Sequence, residues 1–93
     1  MTSSGPDPVI RDLREAIAGL DREILEALNR RIALVRRLKE YKEAQGLDFY
    51  DAAQEGRVLD ALCRANRGPL SETGLREIFG LLLAVAKREA AGA

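Results

Sequence analysis

A proline-free heptad seam near the start of the chain limits the possible folds more than any other feature. Its apolar residues recur at steps of three and four, which is the pattern of a long helix packed along a neighbouring helix. The seam extends up to Gly46 and is interrupted once. Its members are Ile10, Leu13, Ile17, Leu20, Ile24, Ala27, Leu34, Leu38 and Tyr41.

The length of this helix predicts a second chain. Residues 9 to 45 would form a rod of roughly 55 Å, whereas a compact chain of this size is only about 30 Å across. The helix therefore cannot be enclosed by its own chain. Because most soluble oligomers are symmetric assemblies of identical chains, we predict an intertwined helical homodimer.

Two shorter helices are predicted after the long one, which makes the fold class all-α, with three helices per chain. Asp51, with Gln54 at the third helical position, is a suitable N-cap for the second helix. Ser71 is a suitable N-cap for the third. Residues 81 to 86 in the third helix include no polar side chain, so we predict that this run is buried on all sides.

The domain organisation is simple. Residues 1 to 8 are polar, contain two prolines and lack the apolar core of a signal peptide, so we expect a flexible segment there. Residues 9 to 93 are expected to form one helical domain. No apolar run approaches the ~20 residues of a membrane-spanning helix, so we expect no membrane partner.

Composition argues against several classes of function. Fifteen Lys plus Arg balance fifteen Asp plus Glu, so the chain has no net charge that would attract nucleic acid. Histidine is absent, and with it the usual general base and the commonest metal ligand. We therefore expect no metal and no cofactor. The single cysteine, Cys63, permits no internal disulfide and suits a cytoplasmic location.

Arg31 occupies the one seam position that should be apolar. A guanidinium buried there without compensation costs roughly 3 to 5 kcal/mol, so something anionic must meet it. One interpretation is an acid within the protein, such as Glu23, Glu26 or an acid of the other chain, which would fix the register of the helices. The other is an anionic ligand, and the pattern alone leaves both open.

Arg14 and Lys42 flank the seam on one side of the same helix. They would lie about 42 Å apart along its axis, too far for one small ligand. If two copies run antiparallel, however, Arg14 comes near Arg31 of the partner subunit or Lys42 of the partner subunit, creating a shared cationic pocket. Taken singly, each is more simply a solvated helix charge.

Glu55 is an acidic residue on the apolar stripe of the second helix. Its carboxylate is suited either to pairing with Arg31 or Lys42 or to accepting a hydrogen bond from a ligand hydroxyl. Asp51 is most simply an N-cap, a role that also leaves room for a ligand contact.

Four blocks of residues occur together in one order along residues 10 to 89. They are Leu13-Arg14-Glu15 with Ile17, Leu20, Asp21 and Leu25; Arg30-Arg31 with Val35, Lys39, Tyr41 and Lys42; Tyr50-Asp51 with Glu55 and Leu59; and Gly68-Pro69-Leu70 with Ile78-Phe79. In their joint spacing these blocks resemble the all-α chorismate mutases. The resemblance implies an interlocked dimer that rearranges chorismate to prephenate in the aromatic amino-acid branch of the shikimate pathway.

The resemblance also implies a role for each charged residue. Arg31 and Arg14 of the partner subunit would hold the two substrate carboxylates, because a planar guanidinium can donate two parallel hydrogen bonds. Lys42 would donate to the ether oxygen as its bond to carbon breaks. Glu55 and Asp51 would bind the ring hydroxyl.

Three positions depart from the pattern of the family. Gln54 stands where many relatives carry an arginine, and Ala86 stands where a serine is frequent. Ala90 is the more serious departure, because relatives place a glutamine or glutamate there to support the ether oxygen beside the lysine. The departures are compatible with weak intrinsic activity, with activation by a partner enzyme, or with a different substrate on the same scaffold.

These departures leave several alternatives to a chorismate mutase open. An isochorismate-pyruvate lyase and an aminodeoxychorismate mutase use the same fold, and the lyase is the weaker of these because Asp51 and Glu55 retain the hydroxyl-binding pair. A non-catalytic module could bind chorismate or prephenate and regulate the first enzyme of the shikimate route. A structural dimerisation domain would instead pair Arg31 internally.

Overall fold

The computed structural model describes residues 7 to 91, which contain three helices and no strand. The helices are α1 (Pro8–Ala44), α2 (Ala52–Ala65) and α3 (Glu72–Ala91). The predicted all-α class and the number of helices are confirmed. Most of the predicted flexible segment, residues 1 to 6, lies outside the described residues. Within the described part, no helix is both long and apolar enough to cross a membrane.

Local hydrogen bonds explain where α1 begins and ends. The Asp7 carboxylate accepts from the backbone N–H of Val9 at 2.7 Å, and Pro8 is the first helical residue, a position where a missing N–H is harmless. At the other end Gly46 has a φ of +70°, and the Leu47 N–H donates to the Lys42 carbonyl at 2.7 Å. This left-handed glycine cap ends the helix within one residue of the predicted boundary.

The predicted caps of the two shorter helices are also confirmed. Asp51 Oδ1 accepts from the Gln54 N–H at 3.1 Å, and Ser71 Oγ accepts from the Gly74 N–H at 3.0 Å. Each contact satisfies a backbone donor that the first turn of a helix leaves without a partner. The starts of α2 and α3 are therefore set by single side chains that are recognisable in the sequence.

Helices α2 and α3 pack against each other, and an arginine reinforces the contact. Arg76 of α3 lies 3.3 Å from a carboxylate oxygen of Asp60 in α2 and 3.3 Å from one of Glu72. Hydrogen bonds to Asp60 and then to Glu72 raise the pKa of Arg76. The apolar stripe of α2 that carries Glu55 is half-buried along its length; its other members are Val58, Leu59, Leu62 and Cys63.

Much of the apolar surface remains exposed in the single chain. On the seam of α1, Ile24 is 56 % exposed and Leu34 is 60 % exposed. The prediction that residues 81 to 86 are buried on all sides is wrong for this chain, since Leu81 is 66 % exposed and only Ala86 is buried. The physical reason is that an apolar run on every side of a helix needs neighbours on every side, and one chain does not supply them.

A different face of α1 is the one that is partly covered. The described chain divides into two parts after Arg31. In the second part the half-buried positions of α1 are Ile32, Val35, Lys39 and Lys42, whereas the seam residues of that part are exposed. In this part of α1 the flank of the seam is thus partly buried within the chain, and the seam itself is exposed to solvent.

Candidate active site

Lys42 lies in the last turn of α1, and its ammonium is turned toward the connection that follows. Its Nζ donates to the Phe49 carbonyl at 3.3 Å, in a part-buried contact. Within residues 32 to 91, no carboxylate lies at ion-pair distance from Lys42. Because a lysine ammonium has three donors, Lys42 can bind a further acceptor without giving up this contact.

Glu55 lies in the first turn of α2, and its partner comes from α3. Its Oε2 is 3.5 Å from Nζ of Lys87. Of the roles that the sequence leaves open for Glu55, pairing with Lys42 is not the one that this structure shows. Lys87 reaches it because α2 and α3 are neighbours, whereas the Lys42 ammonium contacts the Phe49 carbonyl.

Lys87 makes a second contact, with the ring of Tyr50 in the connection between α1 and α2. Its Nζ lies 3.7 Å from the centroid of the Tyr50 ring, a cation–π distance. Lys87 was not predicted as a site residue. Its signal in the sequence is the return of charge at the end of an apolar run.

Arg31 is half-buried, and its Nη1 atom is covered without a hydrogen-bond partner among the described residues. No other buried side-chain nitrogen or oxygen of residues 7 to 91 lacks a partner. One predicted internal partner, Glu26, instead pairs with Arg30, whose Nη1 lies 3.9 Å from Glu26 Oε2. The described chain therefore supplies no acid for Arg31, while an acid of the other chain remains a prediction.

Arg14 lies on α1 with an exposed side chain. It is about 25 Å from Arg31 along the helix axis, so the two cannot bind one small molecule within a single chain. Its predicted position beside Arg31 of the partner subunit requires two chains, and it remains a prediction.

Asp51 and Gln54 are engaged with Arg57 on the exposed side of α2. Arg57 Nε donates to Gln54 Oε1 at 3.0 Å, and Arg57 Nη2 lies 3.8 Å from Asp51 Oδ2. Both residues are exposed, whereas Glu55 is half-buried. Of the two acids expected to bind a hydroxyl, Glu55 is therefore the one placed among half-buried side chains.

Ala86 and Ala90 are each only 3 % exposed in α3. Beside them, Arg36 Nη2 donates to the Glu89 carbonyl at 3.4 Å and connects α1 to this end of α3. Both alanine side chains are methyl groups, so neither position offers a donor or an acceptor to a ligand.

These features define a class of protein. The chain is an all-helical domain whose longest helix carries two half-buried cations, Arg31 and Lys42, that no described acid neutralises. A family model described as Chorismate mutase type II matches residues 13–90. Since the match covers most of the chain, the protein belongs to this family, and the resemblance stated from the sequence is confirmed. A comparison with curated proteins gives no significant match.

Proposed function

We propose that this protein is a chorismate mutase, an isomerase that converts chorismate to prephenate for phenylalanine and tyrosine synthesis in the cytoplasm. The observation that carries the proposal is the covered Nη1 of Arg31, which has no partner among the described residues. A covered guanidinium without an anion is unfavourable. A substrate with two carboxylates supplies that anion, and Arg14 of the partner subunit would hold the second carboxylate.

The reaction matches the side chains that are present. In chorismate one carbon–oxygen bond breaks while a carbon–carbon bond forms within the same molecule, so no nucleophile, redox group or obligatory proton transfer is needed. Catalysis depends on holding the compact conformer and on stabilising the negative charge that develops on the ether oxygen. The ammonium of Lys42, with donors to spare, is suited to that oxygen.

The hydroxyl end of the substrate is assigned to Glu55. Among residues 7 to 91, only Oε2 of this carboxylate is paired, with Lys87, and an ionised carboxylate accepts hydrogen bonds at both oxygens. Asp51 is exposed and already caps α2, so we assign it a supporting role through the first turn of that helix.

The active assembly is proposed to be a homodimer with two sites shared between chains. Support comes from the exposed seam of α1 and from Leu81 on α3, because apolar surface of this extent is rare on a monomer. A second copy is also the only source of an Arg14 that can lie beside Arg31.

Replacing Leu38, a seam residue that is 48 % exposed in the single chain, with Glu is expected to weaken dimerisation by about a thousandfold. Because a twofold-symmetric interface contains Leu38 from both chains, the substitution removes the burial of two leucine side chains, about 1.5 to 3 kcal/mol each. Sedimentation equilibrium over a range of concentrations measures the effect. Arg37→Glu, at the adjacent exposed position off the seam, is the control and should stay dimeric. A monomeric wild-type chain would contradict the proposal.

The proposed reaction is tested with the purified full chain and three separate substrates: chorismate, isochorismate and aminodeoxychorismate. We expect loss of chorismate absorbance and formation of prephenate, identified by chromatography and mass. Release of pyruvate from isochorismate would support the lyase instead, and turnover of only the amino compound would support the aminodeoxychorismate mutase. A folded dimer inert toward chorismate would count against the proposal.

A non-catalytic chorismate-binding module is the second candidate. It is favoured by the methyl groups at Ala86 and Ala90 and by the contact of Gln54 with Arg57, which leave fewer donors for the transition state. This candidate predicts binding of chorismate or prephenate by calorimetry without turnover. It also predicts a change in the activity of the first enzyme of the shikimate route when the two proteins are mixed.

A further inference from the structure

Lys87 is held by two contacts that come from different parts of the fold. Its Nζ lies 3.5 Å from Glu55 Oε2 in the first turn of α2 and 3.7 Å from the centroid of the Tyr50 ring in the preceding connection. The side chains of Lys87 and Glu55 are 39 % and 31 % exposed. This ion pair is therefore more sheltered than a fully solvated surface pair, and solvent screens it less.

The pair leaves one oxygen of Glu55 available. Lys87 approaches Oε2, and no donor among residues 7 to 91 contacts Oε1. A carboxylate that is anchored at one oxygen keeps its acceptor sites at the other. Glu55 is thus held in place and still able to accept a hydrogen bond from a ligand.

We propose that Lys87 is a positioning residue, which fixes the Glu55 carboxylate so that its free oxygen receives the ring hydroxyl of the substrate. The inference rests on the proposed function and adds to it a residue of α3. Lys87 acts through Glu55 and has no contact with the reacting atoms. Tyr50 takes part through its cation–π contact with the ammonium, which restricts the lysine side chain.

The physical consequence concerns binding more than the chemical step. A glutamate side chain has several free rotations, and ordering it when a ligand binds reduces affinity. In the wild-type chain Lys87 has already restricted Glu55. Replacing Lys87 with Met should therefore raise KM for chorismate about five- to tenfold and leave kcat within about twofold, as expected for a loss of uniform binding.

The test is a double-mutant cycle with Lys87→Met and Glu55→Gln in the full-length dimer. If Lys87 acts through Glu55, its replacement should change KM less than about twofold in the Glu55→Gln background. Lys87→Arg keeps the charge, and its KM should lie close to the wild-type value. Lys39→Met removes a lysine that pairs with Glu43 in α1, and as the control it should leave both kinetic constants unchanged.

The opposite results would overturn the inference. An unchanged KM in Lys87→Met, or an equal rise of KM with and without Glu55, would show that Lys87 does not position this carboxylate. The contact between Lys87 and Tyr50 is measured by the proton NMR chemical shift of the Lys87 ε-methylene. The Tyr50 ring should displace this chemical shift from the values of the Lys39 and Lys42 ε-methylenes. If Tyr50→Leu leaves this shift unchanged, the contact is absent.

A binding measurement separates this inference from the proposed function. The probe is a stable bicyclic dicarboxylate that carries the ring hydroxyl and mimics the transition state, titrated by calorimetry. If the wild-type chain binds the probe without turning over chorismate, the mutase proposal fails, while Lys87→Met should still weaken binding about five- to tenfold. If the wild-type chain neither binds the probe nor turns over chorismate, both are overturned.

Discussion

Replacing Lys42 with Met is expected to lower kcat for chorismate about a hundred- to a thousandfold. One well-placed donor to a developing oxyanion is worth about 3 to 4 kcal/mol, and Lys42 is the cation proposed for the ether oxygen. The methyl groups at Ala86 and Ala90 provide no donor that could take its place. Steady-state kinetics with saturating chorismate measures the loss.

The stability of this variant separates catalysis from folding. Lys42 also donates to the Phe49 carbonyl, and loss of that hydrogen bond should reduce the free energy of unfolding by only about 1 kcal/mol. Urea titration checks this value, and Lys39→Met is the control for loss of a lysine from the same helix. A Lys42→Met protein that is folded and retains more than about a tenth of the wild-type kcat would refute the assignment of Lys42.

Replacing Arg31 with Met is expected to lower kcat/KM about a hundred- to a thousandfold without reducing stability. A charged, bidentate contact with a carboxylate contributes about 3 to 4 kcal/mol when both hydrogen bonds form. In the free protein, however, Nη1 is covered and has no partner among the described residues. Removing that group should leave the free energy of unfolding unchanged or raise it by about 1 kcal/mol.

A large loss of kcat/KM without a loss of stability is expected only if Arg31 binds a ligand. Kinetics and urea unfolding of the same protein sample measure both. Arg30→Met is the control, because Arg30 is exposed and pairs with Glu26, and it should change neither quantity by more than a small amount. A loss of about 3 to 5 kcal/mol in stability for Arg31→Met would instead indicate that an acid of the other chain pairs with Arg31, as a structural dimerisation domain requires.

The helices and their ends could be predicted from the sequence because local chemistry sets them. Asp51 and Ser71 cap α2 and α3 through hydrogen bonds to N–H groups three residues away. Gly46 ends α1 because it adopts a positive φ, which other residues rarely do. In each case the residues that determine the structure are neighbours in the chain.

The candidate site could be predicted only in part, because its contacts join distant segments. The pairing of Glu55 with Lys87 depends on the packing of α3 against α2, and the spacing within either helix carries no information about that packing. Burial of Leu81 was predicted wrongly for the same reason, since the apolar pattern indicates that a partner is needed without giving its source. The need of Arg31 for an anionic partner could be predicted from the sequence, because it depends only on the position of Arg31 in the apolar seam.

The most direct test of the central claim mixes two variants of the proposed homodimer, Arg14→Ala and Lys42→Met. Each variant alone should be almost inactive. After subunit exchange, half of the dimers are hybrids with one intact site, built from Arg14 of one chain and Arg31, Lys42 and Glu55 of the other. We expect recovery of prephenate formation to about a quarter of the wild-type rate. No recovery after verified exchange, or full activity of the Arg14→Ala protein alone, would contradict a site shared between chains.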